Sequence, residues 1–298
     1  MKNRMKKHAI LIMAHNQFKI LEKLVQQLDH ARNDIYIHID KHAGKFDMNR
    51  ITSLCQNASV FFIPRMRVYW GDSTMVECEL RLMEAALTTG EDYAYLHLLS
   101  GVDLQIKNSS DIFAFFDAHP EQQFIALRNP ISGISGMNRY YYFMRLRAYN
   151  KYIARILDMI SAFIQKKQKV DRLQNSSYRI CKCQQWFSIT KPCAEYIISQ
   201  RNFIEEFVRY TCCSDEMAIG TVIANSPFWE QVYQPYRSPY GHMRLIDRDR
   251  CEKASPHTFT IEDWDIIKTS PCFWARKFSL KKDPEVIDKI VSTWGSKE

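Results

Sequence analysis

The sequence predicts an α/β protein in which a mixed, mostly parallel central sheet is flanked by helices. Strand and helix patterns alternate over the first hundred residues, which is typical of a sheet covered on both faces. The segment YAYLHLLS (93–100) is apolar nearly throughout, as expected of a strand buried on both sides. Polar residues follow several apolar runs, and in such sheets ligands bind beyond the carboxyl ends of the strands.

The elements of the first hundred residues follow from their hydrophobic periodicity. An apolar stripe from Phe18 to Leu28 predicts a helix, because its apolar residues recur every three or four positions. Thr74 and Glu77 have the spacing of a capping box and predict the start of a second helix. Strands are predicted over 8–13, 34–40, 59–63 and 93–100.

The pattern becomes mixed after residue 105, where a strand is expected over QQWFSIT (184–190) and helix over 191–209. Two short strands are expected within 244–260 and a final helix over 283–293. No linker divides the chain, so we expect one domain over 1–298, with an N-terminal half over about 7–105 and a C-terminal half over about 106–298.

Composition narrows the functional class. The chain has 298 residues and a formal net charge of +8, but neither a zinc-finger nor an RNA-binding fingerprint, so no nucleic-acid partner is expected. No glycine-rich dinucleotide or P-loop motif is present. The apolar run in MKNRMKKHAILIM is too short for a signal peptide, and no run is long enough for a membrane span. Nine cysteines without a secretion signal favour reduced thiols in a cytoplasm.

The segment 151–172 combines an apolar helical stripe with several basic residues. Such a pattern fits a surface helix that packs its stripe on the protein and exposes a basic side. It also fits a helix that rests on an anionic membrane. The packed helix is the favoured interpretation, and peripheral contact at the inner face of a membrane stays open.

The cysteine pairs Cys181-Lys-Cys183 and Cys212-Cys213 could be imagined as four zinc ligands. Structural zinc sites use pairs of cysteines with two to four residues between them, and neither pair has that spacing. A catalytic thiol would need an activating base, of which the sequence gives no sign. We therefore expect these cysteines to pack as small buried residues, with no metal site.

The segment SDEMAIGTVI (214–223) predicts a helix start with Ser214 as the N-cap. Asp215 and Glu216 would then lie in the first turn, where the helix dipole keeps carboxylates ionised. From these residues alone, a simple cap and a catalytic acid cannot be separated.

An ordered set of motifs resembles one enzyme family across residues 7–290. The motifs are HAILIMAHN (8–16), YIHIDKH (36–42), VYWGDSTMVECELRLM (68–83), YLHLLSGVDLQIK (95–107), QWFSIT (185–190), SDE (214–216) and FWARKF (273–278). The set is similar to that of the core-2/I-branching enzymes, glycosyltransferase family 14, which include β-1,6-N-acetylglucosaminyltransferases and protein xylosyltransferases. The resemblance implies a GT-A-like fold, a nucleotide-sugar-binding N-terminal half and inverting transfer from a UDP-sugar without a required metal or other cofactor.

The resemblance also assigns roles to individual residues. Glu216 takes the place of the general base, and Lys277 that of a cation on the donor diphosphate. A second family cation falls in RDRCEKASPHTF (248–259), where Lys253 or, alternatively, Arg250 is expected to serve. Ala14, His15 and Asp40 are expected at the nucleoside, and Asp103, Trp186, Trp70 and Asp215 at the sugar or acceptor.

Several of these assignments have structural alternatives. Asp103 either contacts the sugar or caps the turn before residues 109–117, and Trp186 either stacks on a sugar or belongs to the core. The strings Asp247-Arg-Asp249 and Asp263-Trp-Asp265 come too late in the chain for an Asp-x-Asp metal site and are interpreted as surface acids. The tyrosines of 139–152, with Arg139, Arg145 and Arg147, are candidates for an acceptor groove.

Taken together, the residues and the resemblance predict a bacterial-type cytoplasmic glycosyltransferase. It would move a sugar, N-acetylglucosamine, from UDP to a hydroxyl of a saccharide or lipid-linked saccharide, in the assembly of a surface polysaccharide. The alternatives are a UDP-xylose-dependent enzyme and a non-catalytic nucleotide- or saccharide-binding module.

Overall fold

The computed structural model describes residues 5–127, 139–144, 146, 149–173, 177–233, 240–251 and 255–295. Its centre is a six-stranded sheet in the order β3-β2-β1-β4-β7-β6, beside a three-stranded sheet in the order β5-β9-β8. The strands are β1 (His8–Ala14), β2 (Asn33–Ile39), β3 (Ser59–Phe62), β4 (Tyr95–Ser100), β5 (Leu104–Gln105), β6 (Phe124–Leu127), β7 (Cys183–Thr190), β8 (Arg244–Ile246) and β9 (Trp274–Arg276).

The described helices are α1 (Phe18–Gln27), α2 (Met48–Thr52), α3 (Ser73–Leu87), α4 (Ser109–Asp117), α5 (Lys151–Lys167), α6 (Lys191–Ser199), α7 (Arg201–Val208), α8 (Ala218–Ala224), α9 (Trp264–Thr269) and α10 (Pro284–Trp294). Among the residues that the structure describes, none of these helices is both long and apolar enough to cross a membrane.

The central sheet is mixed and mostly parallel, as the sequence predicts. β1 pairs in parallel with β2 and β4, and β2 pairs in parallel with β3. β7 runs antiparallel to both β4 and β6, so its first residues lie beside the carboxyl end of β4. The end of β4 and the start of β7, which are far apart in the sequence, therefore meet at one edge of the sheet.

Both faces of the sheet are covered by apolar side chains. In β1, Ala9 and Leu11 face one core with α3, whereas Ile10 and Ile12 face a second core with α1 and α10. Because side chains alternate across a strand, a strand covered on both faces is apolar at most positions. This requirement explains the continuous apolar runs of the sequence.

A buried arginine ties the two sheets together. Arg244 in β8 is fully buried, and its guanidinium donates to the carbonyl oxygens of Leu98 (3.1 Å) and Phe187 (2.7 Å) and to Ser188 Oγ (2.8 Å). The guanidinium also lies over the ring of Trp274, 4.7 Å from its centroid. The smaller sheet is thereby held against β4 and β7, next to the edge where the strand ends meet.

Two helix starts differ from the sequence predictions. The capping box at Thr74 is wrong, because Asp72 is the N-cap of α3 and accepts from Thr74 N at 2.9 Å. Ser214 is not an N-cap either, since residues 214–216 form a 3-10 turn and α8 begins only at Ala218. The predicted helical stretch 191–209 is two helices, α6 and α7, and of the strands predicted within 244–260 the structure describes β8.

Candidate active site

A cleft of about 550 Å³ lies at the carboxyl edge of the central sheet. The residues after β1, β2 and β4 form its floor, and the start of β7, the 214–216 turn and the segment after β9 form its walls. Its polar and aromatic lining consists of His15, Asn16, Gln17, His38, Asp40, Trp70, Ser100, Gln185, Trp186, Asp215, Glu216, Arg248, Ser255, Thr258, Arg276, Lys277 and Ser279.

The strand-end residues predicted from the sequence lie together in this cleft. Ala14 and His15 follow β1, and Asp40 follows β2. Asp40 is buried, and its Oδ1 accepts from the backbone N–H of His42 at 2.8 Å. The floor is tight at Gly101, where an added Cβ would lie 2.6 Å from Ala14 Cβ, so this position requires glycine.

His38 forms part of the cleft floor as a neutral imidazole. Burial lowers its pKa to about 4, because the charged ring would lose its hydration. Its Nε2 accepts a hydrogen bond from Met66 N at 3.1 Å, which places the ring proton on Nδ1. At neutral pH, His38 can therefore offer a donor but no positive charge.

Trp186 and Arg276 form a stacked pair in the wall of the cleft. The Arg276 guanidinium lies 4.0 Å from the centroid of the Trp186 ring. Trp186 is buried, as its interpretation as a core residue predicts, and it also lines the cleft; stacking on a sugar stays a prediction. The stack fixes the plane of a guanidinium at the cleft surface.

Asp103 lies behind this pair rather than in the cleft lining. It is fully buried, accepts from Ser100 N at 2.9 Å, and forms an ion pair with Arg276, with 3.3 Å between Oδ1 and Nε. Burial raises the pKa of its carboxyl, and the charge of Arg276 opposes that shift. Asp103 therefore closes the 100–103 turn and positions Arg276, whereas Asn108 is the N-cap of the helix over 109–117; contact with a sugar stays a prediction.

Three described cations line one side of the cleft: Arg248, Arg276 and Lys277. Lys277 Nζ donates to Ser255 Oγ, which also lines the cleft. Arg250 is not in the lining, because it pairs with Asp247 (2.6 Å) and Asp263 (2.7 Å). Lys253, the other predicted diphosphate ligand, lies outside the described residues.

Glu216 projects into the cleft from the 3-10 turn. Its Oε2 lies 3.0 Å from Lys182 Nζ, and its Oε1 lies 4.0 Å from an Nη atom of Arg248. About a quarter of the side chain, 25%, is exposed to solvent. The carboxylate is therefore accessible to a ligand and is held by cations rather than by a helix cap.

Asp215 sits behind Glu216 in a second, buried group of acids. Burial, reinforced by the negative charge of Glu216, raises the pKa of Asp215 to about 7. The expectation that a helix end keeps this acid ionised is therefore wrong. Glu79 from α3 is fully buried nearby, its Oε1 accepts from Gln185 Nε2 at 2.9 Å, and its pKa is raised well above the usual range by burial and then by Asp215.

These raised pKa values predict how stability depends on pH. An acid whose folded pKa is raised holds its proton longer in the folded state, so its contribution to stability is lost as the pH rises. For Asp215 the window runs from about 4 to about 7. We expect Asp215→Asn to reduce the loss of unfolding free energy between pH 5 and 7.5 by about 2–3 kcal/mol.

Urea denaturation at the two pH values measures this difference. The exposed Asp288 provides the control, and Asp288→Asn should leave the pH dependence unchanged. Equal pH slopes for Asp215→Asn and the wild type would contradict a raised pKa of Asp215 in the folded protein.

The cysteines pack, as predicted for Cys181 and Cys183, both of which are buried. A Cβ at Gly220 would lie 2.8 Å from Cys183 Cβ, so α8 approaches β7 closely at this cysteine. Burial raises the pKa of Cys181 to about 12, which leaves a thiol rather than a nucleophilic thiolate. Cys212 and Cys213 are half-buried, with their sulfurs 3.9 Å apart.

Of the remaining predicted residues, Trp70 lines the cleft and Asp263 lies outside the cleft lining. Trp70 is at the cleft mouth and 70% exposed. Asp263, interpreted as a surface acid, is instead buried and accepts from His257 Nε2 and Thr260 N. Arg145 and Arg147, suggested for an acceptor groove, lie outside the described residues. No group of three or more His, Cys, Asp or Glu in the described ranges has a metal-binding arrangement.

Sequence reasoning missed Arg248, Arg276, Lys182 and Glu79. Arg248 lies two residues before Arg250, and Arg276 directly precedes Lys277. The motif segments that contain them therefore already indicated cations at the donor diphosphate. Lys182 and Glu79 come from a strand start and a helix interior, and only the packing of α3 against the 214–216 turn and β7 brings them near Glu216.

Comparisons with known proteins found xylosyltransferases among the proteins to which this chain is similar. A xylosyltransferase of Ciona intestinalis is 20% identical over 303 aligned positions, which cover 94% of this chain and 33% of that protein. The chain thus spans about a third of the length of that relative. The crystal structure of mouse xyloside xylosyltransferase 1, in its apo form, aligns with 73% of this chain and 81% of its own at a TM-score of 0.34 and 10% identity.

The family assignment rests on the sequence as a whole. The sequence model of the family described as Core-2/I-Branching enzyme matches residues 9–268, which include the strand ends, the 214–216 turn and α8. The chain therefore belongs to the core-2/I-branching enzyme family of glycosyltransferases.

Proposed function

We propose that the protein transfers N-acetylglucosamine from UDP-N-acetylglucosamine to a saccharide hydroxyl with inversion, and that Glu216 is the general base. The observation that carries this proposal is the pairing, within one cleft, of an accessible carboxylate with the cations Arg248, Arg276 and Lys277. A single displacement at a sugar carbon needs both, because the acceptor loses a proton while the leaving diphosphate gains charge.

The donor lies with its nucleoside over Ala14, His15 and Asp40 and with its diphosphate toward Lys277. These residues line the same cleft, and they come from strand ends where α/β proteins bind nucleotides. A larger cavity of about 820 Å³ at the opposite edge of the sheet is lined by four acids and two lysines. Because acids outnumber lysines there, whereas Arg248, Arg276 and Lys277 line the cleft, the cleft is the better site for an anionic nucleotide.

The chemical step follows from the geometry of Glu216. Its carboxylate accepts the proton of the acceptor hydroxyl as that oxygen bonds to the anomeric carbon. The bond from this carbon to the diphosphate oxygen breaks at the same time, and UDP leaves with the electron pair. Lys277 and the two arginines stabilise the charge on UDP, a role that a divalent metal fills in other enzymes.

Transfer of xylose is the second candidate. It is favoured by one observation, the similarity over 94% of the chain to a protein named a xylosyltransferase. A third reading, a binding module without catalysis, predicts that UDP binds but that no sugar is transferred or hydrolysed.

Donor turnover distinguishes these possibilities. We expect UDP release from UDP-N-acetylglucosamine to exceed that from UDP-xylose and to persist in excess EDTA, because protein cations rather than a metal carry the diphosphate charge. Release from UDP-xylose alone would move the assignment to the second candidate. Loss of activity in EDTA that magnesium or manganese restores would overturn metal independence.

A further inference from the structure

Helix α5 turns its apolar side toward solvent. Ile153, Ile160 and Phe163 are 56%, 51% and 59% exposed, although they belong to the apolar stripe that predicted a packed helix. The exposed apolar residues of α5 are Tyr152, Ile153, Ile156, Leu157, Met159, Ile160, Phe163 and Ile164. The favoured interpretation of this segment, a helix with its stripe packed on the protein, is therefore wrong.

The opposite side of α5 attaches it to the protein through small and polar residues. Ala154 is buried, and Asp158, Ser161 and Gln165 are half-buried. Gln165 accepts from Tyr141 N at 2.8 Å and donates to Tyr141 O at 3.1 Å. A surface helix normally buries its apolar stripe and exposes its polar side, and α5 has the reverse arrangement.

The segment before α5 enlarges this exposed surface. Phe143, Leu146 and Tyr149 are 55%, 43% and 89% exposed. Phe143 and Leu146 line a shallow groove with Leu157, Ile160 and Ile164 of the helix. We call the exposed apolar residues of 143–164 the α5 surface; contiguous apolar patches of this kind mark sites for a membrane or a protein.

The charges around the α5 surface are positive. Arg155, Lys166, Lys167 and Lys169 are exposed, and Lys167 Nζ lies 4.7 Å from the centroid of the Phe163 ring. The single acid of the helix, Asp158, is half-buried and lines the groove beside Leu157 and Ile160, so four exposed cations outnumber one partly covered acid. Basic residues beside exposed aromatic and aliphatic side chains are the pattern of a helix lying in an anionic lipid interface.

We propose that the α5 surface docks the protein on an anionic lipid bilayer, with the axis of α5 in the membrane plane. The aliphatic and phenylalanine side chains enter the acyl boundary, and Tyr149 and Tyr152 suit the headgroup level. A second copy of the chain is a poorer occupant, because pairing two such surfaces would bring their lysines and arginines together without compensating acids.

The position of the α5 surface relative to the cleft fits such docking. Tyr142 N donates to Tyr210 O at 3.0 Å, and Met144 Cε lies close to Gly71, where an added Cβ would be 2.9 Å away. Gly71 follows Trp70 at the cleft mouth. Docking would thus bring the Trp70 side of the cleft near the bilayer. The proposed lipid contact does not depend on the proposed sugar transfer.

Sedimentation with lipid vesicles tests the proposal. The wild type is expected to bind vesicles of equal parts phosphatidylcholine and phosphatidylglycerol, and to bind phosphatidylcholine alone much more weakly. Ile160→Ser/Phe163→Ser should weaken binding to the anionic vesicles by a factor of at least about ten, because two large apolar groups leave the interface. Lys166→Glu/Lys167→Glu should weaken it by a similar factor, roughly tenfold, and reduce its salt dependence.

The control is Ile266→Ser, which removes an isoleucine that is 49% exposed on α9, outside the α5 surface. This variant should bind vesicles like the wild type, and cooperative thermal unfolding checks that each variant is folded. Absence of wild-type binding to the anionic vesicles would overturn the proposal. So would a lipid-free dimer that Ile160→Ser/Phe163→Ser converts to a monomer, since a second copy would then be the occupant.

Discussion

Replacement of Glu216 by glutamine is expected to lower the transfer rate roughly a thousandfold, the scale of a lost general base. The amide keeps the shape of the side chain but cannot take a proton from the acceptor hydroxyl. The affinity for UDP should change little, because Arg248, Arg276 and Lys277, the proposed diphosphate ligands, remain in the cleft. Rates of UDP release at saturating donor, together with calorimetric UDP binding, measure the two effects separately.

Glu206→Gln is the matched control for this variant. Glu206 is an exposed glutamate on α7, outside the cleft lining, and its replacement should leave both rate and binding unchanged. Full activity of Glu216→Gln would contradict the assignment of the base. Loss of UDP binding in Glu216→Gln would show instead that Glu216 acts by holding Lys182 and Arg248 in place.

Removal of the Asp103 carboxylate is expected to give the largest loss of stability. The side chain is fully buried and paired with Arg276, so Asp103→Ala leaves a charged guanidinium without its partner. Loss of one partner of a buried pair costs about 3–5 kcal/mol. Because the pair also holds Arg276 against Trp186 in the cleft wall, the affinity for UDP should fall as well.

Thermal unfolding measures the first effect, and a fall of roughly 10 °C in Tm corresponds to it. Asp92→Ala serves as the control, because Asp92 forms a surface ion pair with Lys6 in which both side chains are more than half exposed. Such pairs contribute about 0–1 kcal/mol. A Tm for Asp103→Ala equal to that of the control would show that Arg276 does not depend on this carboxylate.

The central sheet could be predicted because its signal is local and continuous. Most residues of a strand covered on both faces are apolar, so β1 and β4 are visible in the sequence, and the polar residues after them mark the cleft edge. Helix starts were predicted less well, since several nearby residues compete to cap them. Asp72, two residues before Thr74, caps α3, and a 3-10 turn delays α8 beyond Ser214.

The charged part of the site shows where sequence reasoning ends. The motif segments identified Lys277 as a cation of the site. Arg248 and Arg250 lie only two residues apart, and only the folded chain shows that Arg248 faces the cleft while Arg250 pairs with Asp263. The acids Glu79 and Asp215 are 136 positions apart in sequence. Their mutual effect on pKa depends on the packing of α3 against the 214–216 turn, which no local pattern encodes.

The orientation of α5 gives a similar lesson. Its apolar stripe was recognised correctly, but periodicity identifies a face and not its neighbour. Ala154, Ser161 and Gln165 decide which side meets the protein, through burial and the hydrogen bonds to Tyr141. Because the apolar stripe of α5 is exposed, the α5 surface is a candidate membrane-binding surface rather than a packed helix face.

Titration calorimetry of the wild type and Lys277→Ala with UDP, UDP-N-acetylglucosamine and UDP-xylose tests the central claim most directly. A donor site in the cleft predicts that the wild type binds UDP and UDP-N-acetylglucosamine at one site. It also predicts that Lys277→Ala binds them at least about tenfold more weakly, because a cation on the diphosphate is lost. No binding of any of the three nucleotides to the wild type would contradict the claim.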